Sequence, residues 1–573
     1  MQIVPNEETF SQIRYPCAPA TVNGADAYHS GRTTMTEQFE GGGGAAEAAR
    51  GTYTNPLLNE DWPDPDGIRV GADYYLVTSS FSTAPGLPVL HSRDLVNWRL
   101  LARALPTIEP AEHFALPRHG AGVWAPAIRH RDGVFFLFVP DPDRGILVTT
   151  ATDPAGPWSA PHTLLPGLGV IDPCPLWTDD GRAWMVFGWA RSRSGVANRL
   201  SVVEISPDAR RVLSAPVTVI DADRLPGYST LEGPKLYWRD GWFWIFAPAG
   251  GVTDGWQSVF RSRSILGPYE GRIVLQQGDT AVNGPHQGAW VTTPEGEDWF
   301  LHFQDRGVFG RVLHLQPMRW NDAGWPVMGI DGEPVLEHPL PAGAVGAVPS
   351  SPARSDDWSG TALGLQWRWQ ANRPEDAAEL RGDGFLRMQV TTSDLGSLRA
   401  VPSVLGQQLP GVSSVFSTSV RLDGAAADGA VRAGLVLLGR SYAWIGLVRT
   451  FSGTTLRVGT AADPSTGSGS VDERTVDLGP TEPEETVELR IRTTVADRFC
   501  SEAVAGLDYR RGGGEWVSAL EGFEVTAGHW VGAELGLFAC ATAGTPALTG
   551  AVFGRVTVEP DRCSHGSPAA AGS

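Results

Sequence analysis

The chain lacks several features that would place it in other classes of protein. Only five of its 573 residues are cysteine, and their scattered, unpaired spacing excludes a disulfide-stapled secreted domain and suits a reducing compartment. Lys and Arg number 45 against 64 Asp and Glu, and the resulting charge of −19 disfavours a nucleic-acid partner or an anionic membrane. No apolar run of eighteen residues and no basic-then-apolar leader is found, so we expect a cytoplasmic protein without a membrane span.

Two residue types that favour turns are plentiful. The chain contains 69 Gly and 44 Pro, its apolar share is 42%, and long amphipathic helical patterns are scarce. A chain of this length holds at least two domains. This composition, rich in Gly and Pro and poor in helical patterns, is typical of all-β proteins.

One short sequence motif, called the repeated phrase below, occurs five times between residues 60 and 305. Each copy begins with a segment, called the lead, that has a polar or aromatic residue beside Pro or Gly. A hydrophobic pair of residues follows the lead. The leads contain Trp62-Pro63-Asp64-Pro65, Val123-Trp124-Ala125-Pro126, Ile171-Asp172-Pro173, Leu231-Glu232-Gly233-Pro234 and Gly284-Pro285-His286-Gln287. The pairs are Tyr74-Tyr75, Phe135-Phe136, Trp184-Met185, Phe243-Trp244 and Trp299-Phe300. A period of about 50 to 60 residues is typical of one four-stranded sheet per repeat.

A tight-turn signal precedes most of these pairs, for example Asp132-Gly133 and Asp240-Gly241. Gly accepts the positive φ that hairpin turns require, so each repeat is expected to hold a strand, a turn and a second strand, with the lead on the first strand. Five such sheets arranged radially predict a five-bladed β-propeller around a central channel.

Equivalent positions of successive blades point at the same axis. Asp64, Asp172 and Glu232 are therefore expected to meet at one mouth of the channel, together with His286 and Trp124. Inverting hydrolysis of a glycosidic bond needs an acid and a base about 6.5–9.5 Å apart, and a third carboxylate would raise the pKa of the acid.

Each of these residues also has an ordinary structural interpretation. Asp64 and Asp172 precede proline, as turn residues often do, and His286 can be a satisfied structural histidine. Trp124 and Phe81 can be core aromatics, and Arg311 can be a paired surface charge. No metal-binding motif is present, so no cofactor is expected to be required, although the channel beside His286 leaves room for a cation.

The composition divides the chain into five segments. Residues 1–51 are expected to be a disordered leader, and the start of translation is left open between Met1 and Met35. Residues 52–345 are expected to form the propeller, and 346–356 a linker. Alternating strand patterns then predict a β-sandwich over 357–560, followed by a loose tail, 561–573.

Several motifs resemble family 43 glycoside hydrolases, the β-xylosidase and α-L-arabinofuranosidase group. Those in the propeller region are Trp62-Pro63-Asp64-Pro65-Asp66, Trp124-Ala125-Pro126-Ala127, Ile171-Asp172-Pro173, Glu232-Gly233-Pro234-Lys235-Leu236-Tyr237 and Phe303-Gln304-Asp305-Arg306-Gly307. Those in the later region are Leu365-Gln366-Trp367-Arg368-Trp369 and Trp530-Val531-Gly532-Ala533, which resemble the β-sandwich module of two-domain members.

The resemblance implies a role for each candidate residue. Asp64 matches the general base, Glu232 the general acid, and Asp172 the carboxylate that tunes the pKa of the acid and orients it. The residues that match the sugar-binding pocket are Phe81, Trp124, His286 and Arg311. The family acts by inversion, and in two-domain members a sandwich loop closes one side of the pocket.

We therefore expect an exo-acting, inverting glycoside hydrolase that releases terminal xylose or arabinose from short oligosaccharides. Two alternatives stay open: a retaining propeller enzyme of the fructan- and sucrose-cleaving kind, and a catalytically silent sugar-binding propeller. The sequence leaves the preferred pentose, the linkage and the formation of a homo-oligomer undetermined.

Overall fold

The structure is a computed structural model that describes residues 51–344, 351–373, 375–392, 396–424, 430–464, 471–478, 485–542 and 550–561. The predicted leader apart from residue 51, the predicted linker up to residue 350 and the predicted tail from residue 562 lie outside the described residues. The predicted all-β class, with a five-bladed propeller followed by a sandwich, is confirmed.

Five four-stranded antiparallel sheets, numbered here as blades 1 to 5, form the propeller within residues 51–344. Blade 1 contains Asp66–Val70, Asp73–Val77, Gly86–Ser92 and Trp98–Leu105. Blade 2 contains Ala127–Arg131, Val134–Asp141, Gly145–Ala151 and His162–Pro166. Blade 3 contains Val170–Trp177, Ala183–Trp189, Arg199–Ile205 and Val217–Asp221. Blade 4 contains Lys235–Arg239, Trp242–Ala249, Trp256–Ser262 and Glu270–Gln276, and blade 5 contains His286–Thr292, Asp298–Asp305, Arg311–Trp320 and Pro326–Met328.

The predicted hairpin turns join the first two strands of the blades. Asp132 and Gly133 have φ of 50° and 78°, and Asp240 and Gly241 have φ of 52° and 76°. Two consecutive positive φ angles match the twist of the flanking strands, and Asp and Gly are the residues that adopt them at least cost.

The ring closes through the segment that precedes blade 1. Thr52–Thr54 pairs with Glu337–Pro339, and Leu58 forms an isolated bridge with Leu313 of blade 5. The Asn55 amide also donates to the carbonyls of Leu315 and Val335. The beginning of the propeller is thus hydrogen-bonded to its last blade.

The apolar core of the propeller lies between neighbouring blades. Leu76 and Leu90 of blade 1, for example, pack in one cluster with Leu301 and Leu313 of blade 5. Burying such a side chain contributes about 1.5–3 kcal/mol, so packing between blades holds the first strands at fixed positions around the axis.

Two eight-stranded sheets form the sandwich in the described residues beyond 351. One sheet contains Arg368–Trp369, Thr391–Thr392, Val404–Gln408, Val431–Leu438, Tyr442–Thr450, Gly453–Ala461, Val471–Val476 and Glu534–Ala541. The other contains Ala378–Leu380, Leu386–Gln389, Ser414–Asp423, Val487–Thr494, Val504–Arg511, Val517–Glu524, Gly550–Phe553 and Thr557–Pro560. Burial alternates strictly along Ser414–Asp423, as its sequence pattern predicts, because alternate side chains face the other sheet.

All helices of the described residues are short: His113–Ala115, Arg191–Ser194, Ala222–Arg224, Gly307–Phe309, Glu375–Ala377 and Leu398–Ala400. None of these is long and apolar enough to cross a membrane.

The sandwich is hydrogen-bonded to the propeller close to the channel. The backbones of Ala84 and Trp369 pair, with N–O distances of 3.0 and 2.7 Å. The buried carboxylate of Asp61 accepts from the backbone N–H of Arg311, at 2.8 Å, and of Gly532, at 3.0 Å. Burial raises the pKa of Asp61 to about 6. Asp61 therefore ties a sandwich loop to the blade that carries Arg311.

Candidate active site

The lead residues occupy related positions in successive blades. The backbone N–H of Trp124 donates to the carbonyl of Pro140, and that of Glu232 to the carbonyl of Pro248, at 3.0 and 3.2 Å. Asp172 lies on the first strand of its blade as predicted, whereas Asp64 and Glu232 lie just before theirs. Packing between the blades fixes the first strands, and it thereby fixes the positions of the residues at or just before the start of these strands.

The two aspartates share an uncommon backbone conformation. Asp64 and Asp172 have φ of 56° and 55°, in the left-handed region that Asp tolerates better than most residues. At Asp172 the strand register shifts between Ile171 and Cys174. Such a bulge re-aims a side chain, which is one reason bulges occur beside functional sites.

Asp64 is buried and held by two side chains. Arg311 Nη1 lies 2.5 Å from Asp64 Oδ1, and the hydroxyl of Ser79 donates to Oδ2. The guanidinium compensates the negative charge of this carboxylate, while the hydroxyl fixes its rotation. Burial opposes the charge of Arg311, but nearby carboxylates, Asp64 first, raise its pKa above the usual range.

Asp172 contacts the residue that follows Glu232. Its Oδ2 accepts from the backbone N–H of Gly233 at 2.8 Å, so the carboxylate fixes the peptide next to Glu232. Burial raises the pKa of Asp172, and the negative charge of Asp64 adds to that rise. The charge of Lys235 acts in the opposite direction.

Glu232 keeps 30% of its side chain exposed and is otherwise enclosed by protein. Its pKa is raised well above the ordinary carboxyl range, first by desolvation and then by the negative charge of Asp172, with a smaller contribution from Asp64. A carboxyl group with a raised pKa keeps its proton near neutral pH, as a general acid must. The three carboxylates therefore lie within electrostatic reach of one another, as the repeat register predicts.

His286 is buried beside Glu232. The distance from His286 Nε2 to Glu232 Oε1 is 3.7 Å, which is too long for a direct hydrogen bond. Burial lowers the pKa of His286 to about 3, so its ring is neutral at neutral pH. Both ring nitrogens are buried and have no hydrogen-bond partner among the described residues. A cation near His286 stays a prediction: among the described residues, no group of three or more His, Cys, Asp or Glu is arranged to hold a metal ion.

Phe81 and Trp124 lie together on the side of blades 1 and 2. Their ring centroids are 6.5 Å apart with the planes inclined by 57°, and Phe81 forms a backbone bridge with Val123. The Trp124 indole N–H donates to the carbonyl of Gly120, and the guanidinium of Arg193 lies 5.5 Å from its ring. Such rings can cover the apolar face of a sugar while polar neighbours bind its hydroxyls.

Three residues with contacts to this site were not among the predicted site residues. Ser79 donates to Asp64, Asp61 accepts from the backbone of Arg311, and Trp530 of the sandwich places its ring 6.0 Å from the guanidinium of Arg311. The polar run at 78–80, directly after an apolar strand, was an available signal for Ser79. Trp530 lies about 220 residues after Arg311, in the sandwich domain, where the repeated phrase does not occur.

Two family models match this chain. Residues 53–326 match the model of glycosyl hydrolases family 43. Residues 355–559 match that of the beta xylosidase C-terminal concanavalin A-like domain.

Known proteins resemble the chain over much of its length. A putative beta-xylosidase of Xylanibacter ruminicola is 38% identical over 413 residues, which cover 71% of this chain and 74% of the relative. A non-reducing end alpha-L-arabinofuranosidase of Bacteroides ovatus is 30% identical, over 65% of this chain and 71% of the relative. The crystal structure of a xylan beta-1,4-xylosidase from Bacillus halodurans has the same fold, with a TM-score of 0.76 and 24% identity, covering 88% of this chain and 99% of the other.

Proposed function

The chain belongs to glycosyl hydrolase family 43, and we propose that it is an exo-acting, inverting enzyme that releases terminal xylose or arabinose from short xylan-type oligosaccharides. Membership of the family makes it a glycoside hydrolase with a carbohydrate substrate. The observation that carries the proposal is the convergence of Asp64, Asp172 and Glu232 at one partly exposed site, with the pKa of Glu232 raised.

In the proposed reaction, Glu232 protonates the leaving glycosidic oxygen. Asp64 takes a proton from the water that attacks the anomeric carbon, and the sugar leaves with inverted configuration. Asp172 keeps the pKa of Glu232 high and orients its backbone. The contacts of the three carboxylates and the family resemblance support these roles.

The exo preference is supported by the sandwich loop at 528–533. His529 packs against Gly120, where an added Cβ would lie 2.4 Å from the imidazole ring, and Trp530 lies near Arg311. Protein from the second domain therefore borders the pocket on that side. A pocket bordered in this way admits the end of a chain more readily than its middle.

The proposal is tested with a panel of nitrophenyl xylosides and arabinosides and with xylo-oligosaccharides. We expect hydrolysis of at least one pentoside, release of single sugars from the non-reducing end, and a first product of inverted configuration by proton NMR. An initial product of retained configuration would favour the retaining alternative, and binding without release of reducing sugar would favour the silent propeller.

Replacing Asp172 with asparagine is expected to move the high-pH limb of kcat/KM to lower pH by about one unit. The negative charge of Asp172 raises the pKa of Glu232, so removing that charge lowers it, and the acid then loses its proton at a lower pH. The asparagine carbonyl can still accept from Gly233. A pH–rate profile of Asp172→Asn beside Asp153→Asn, an exposed control on blade 2, checks this; an unmoved limb contradicts it.

A further inference from the structure

Four polar side chains with no step in the proposed reaction, three buried and one largely buried, lie along the first strands of the propeller. They are Asp66 of blade 1, Arg129 of blade 2, Cys174 of blade 3 and Lys235 of blade 4. Three of them follow a candidate catalytic residue closely in sequence: Asp66 comes two residues after Asp64, Cys174 two after Asp172, and Lys235 three after Glu232.

Asp66 connects blade 1 to blades 2 and 4. Its Oδ2 accepts from Arg129 Nη1 at 2.7 Å and from the backbone N–H of Ile128 at 2.8 Å. Its Oδ1 lies 3.5 Å from Lys235 Nζ, and the same ammonium donates to the carbonyl of Pro126 at 3.4 Å. One carboxylate thus meets two cations that come from different blades.

Cys174 connects blades 2, 3 and 4. Its Sγ accepts from Arg129 Nη2 at 2.6 Å and from the backbone N–H of Leu236 at 3.1 Å. Leu236 follows Lys235 in sequence, and the ammonium of Lys235 contacts Asp66. The contacts therefore form a closed circuit through blades 1, 2, 3, 4 and back to 1, which we name the polar ring: Asp66, Arg129, Cys174 and Lys235.

The polar ring is largely enclosed, with Arg129 keeping 13% of its side chain exposed, and it carries a net positive charge. Asp66, Cys174 and Lys235 are 0% exposed. Burial raises the pKa of the Cys174 thiol, so at neutral pH the ring holds two cations and one carboxylate. Buried charges are costly unless they are paired, and apolar residues of similar volume would often fill such a space more stably. Stability alone is therefore a weak reason for this set of residues.

We propose that the polar ring fixes the separations among Asp64, Asp172 and Glu232, so that its four members are positioning residues of the hydrolytic reaction. The inference rests on the proposed function. Each ring contact joins strands from two blades only two or three residues from a catalytic carboxylate, so a shift in the ring moves a carboxylate. A displacement of about 1 Å in reacting groups costs roughly 100-fold in rate.

The first test removes the acceptor atom of Cys174. Cys174→Val keeps approximately the volume without accepting a hydrogen bond, and Cys174→Ser keeps an acceptor. We expect kcat to fall roughly 10- to 100-fold in Cys174→Val, with KM within about twofold, and to recover most of the way in Cys174→Ser. Cys540→Val, the same change at a fully buried thiol of the sandwich, should leave kcat unchanged.

The second test removes the charge of Lys235. Lys235→Met keeps most of the length of the side chain but removes the ammonium contacts to Asp66 and to the carbonyl of Pro126, so kcat should fall roughly 10- to 100-fold with KM within about twofold. The Asp66–Arg129 pair stays intact in this variant, so no lone charge is left in the ring.

The outcomes separate this proposal from the proposed function. A wild type that hydrolyses pentosides establishes the activity whatever the variants do. If kcat of Cys174→Val and of Lys235→Met then stays within twofold of wild type, or if KM rises as much as kcat falls, the ring has no positioning role. If Cys174→Val does not fold, Lys235→Met decides the question. A wild type without any glycosidase activity overturns both proposals.

Discussion

Replacing Glu232 with glutamine is expected to lower kcat by roughly 100- to 10,000-fold for xylosides or arabinosides with poor leaving groups. Glutamine has nearly the same shape but cannot deliver a proton to the departing oxygen. The raised pKa of Glu232 means that the wild-type group carries this proton at neutral pH, so the variant loses an acid that is otherwise ready to act.

The leaving group distinguishes an acid from a group that only binds. A dinitrophenyl glycoside leaves without protonation, so its hydrolysis by Glu232→Gln should fall far less than that of an unactivated disaccharide. Circular dichroism and melting temperature establish that the variant is folded, and Glu204→Gln, a change on blade 3 at a glutamate paired with Arg182, is a matched control. Equal losses on both substrates would assign Glu232 another role.

The glutamine variant is also expected to remove the high-pH limb of the pH–rate profile that Glu232 sets. In the wild type, activity falls as pH rises through the pKa of this group. Glutamine does not titrate, so the residual rate on activated substrates should stay level in that range. A limb that survives the substitution would belong to another residue.

The repeat pattern predicts the propeller because every blade needs the same local elements. In each blade the first strand pairs with the second across a hairpin. Such a hairpin needs a turn with positive φ, such as Asp132-Gly133, and the hydrophobic pair lies on the second strand. The same register predicts that Asp64, Asp172 and Glu232 meet, since equivalent positions face one axis. The family resemblance, now confirmed, points to the same residues.

The contacts that hold these residues were not predictable in the same way. Ser79, Asp61 and Trp530 touch the site from a strand end, from the segment before blade 1 and from the sandwich, and each lies outside the repeated phrase. The shift in the pKa of Glu232 arises from burial and from neighbours on other blades, which no local pattern encodes. The catalytic roles of the three carboxylates stay predictions, which substitutions of Asp64, Asp172 and Glu232 test.

Arg311 is the cation that most directly faces the catalytic carboxylates. It binds Asp64 through its side chain, while its backbone N–H is held by Asp61, which also holds Gly532 of the sandwich loop. The position of this guanidinium therefore depends on both domains. The sandwich thus contributes to the electrostatics of the site as well as to its border.

Replacing Asp64 with alanine is expected to reduce hydrolysis of every substrate, activated or not, by roughly 100- to 10,000-fold. The attacking water must lose a proton in either case, so a good leaving group does not compensate for a missing base. This insensitivity to the leaving group is the opposite of the behaviour expected for Glu232→Gln. The control is Asp73→Ala, a half-buried aspartate of blade 1 that pairs with His91.

Azide supplies the second half of this test. The space left by the carboxylate lies beside Arg311, so the small anion can bind there and attack the sugar without proton transfer. Added azide should therefore restore turnover of activated glycosides by Asp64→Ala, with formation of a glycosyl azide, and should not stimulate the wild type. In the wild type, incubation with a 2-fluoro pentoside should leave the mass of the protein unchanged, whereas a covalent adduct on Asp64 would make this residue a nucleophile and the enzyme a retaining one.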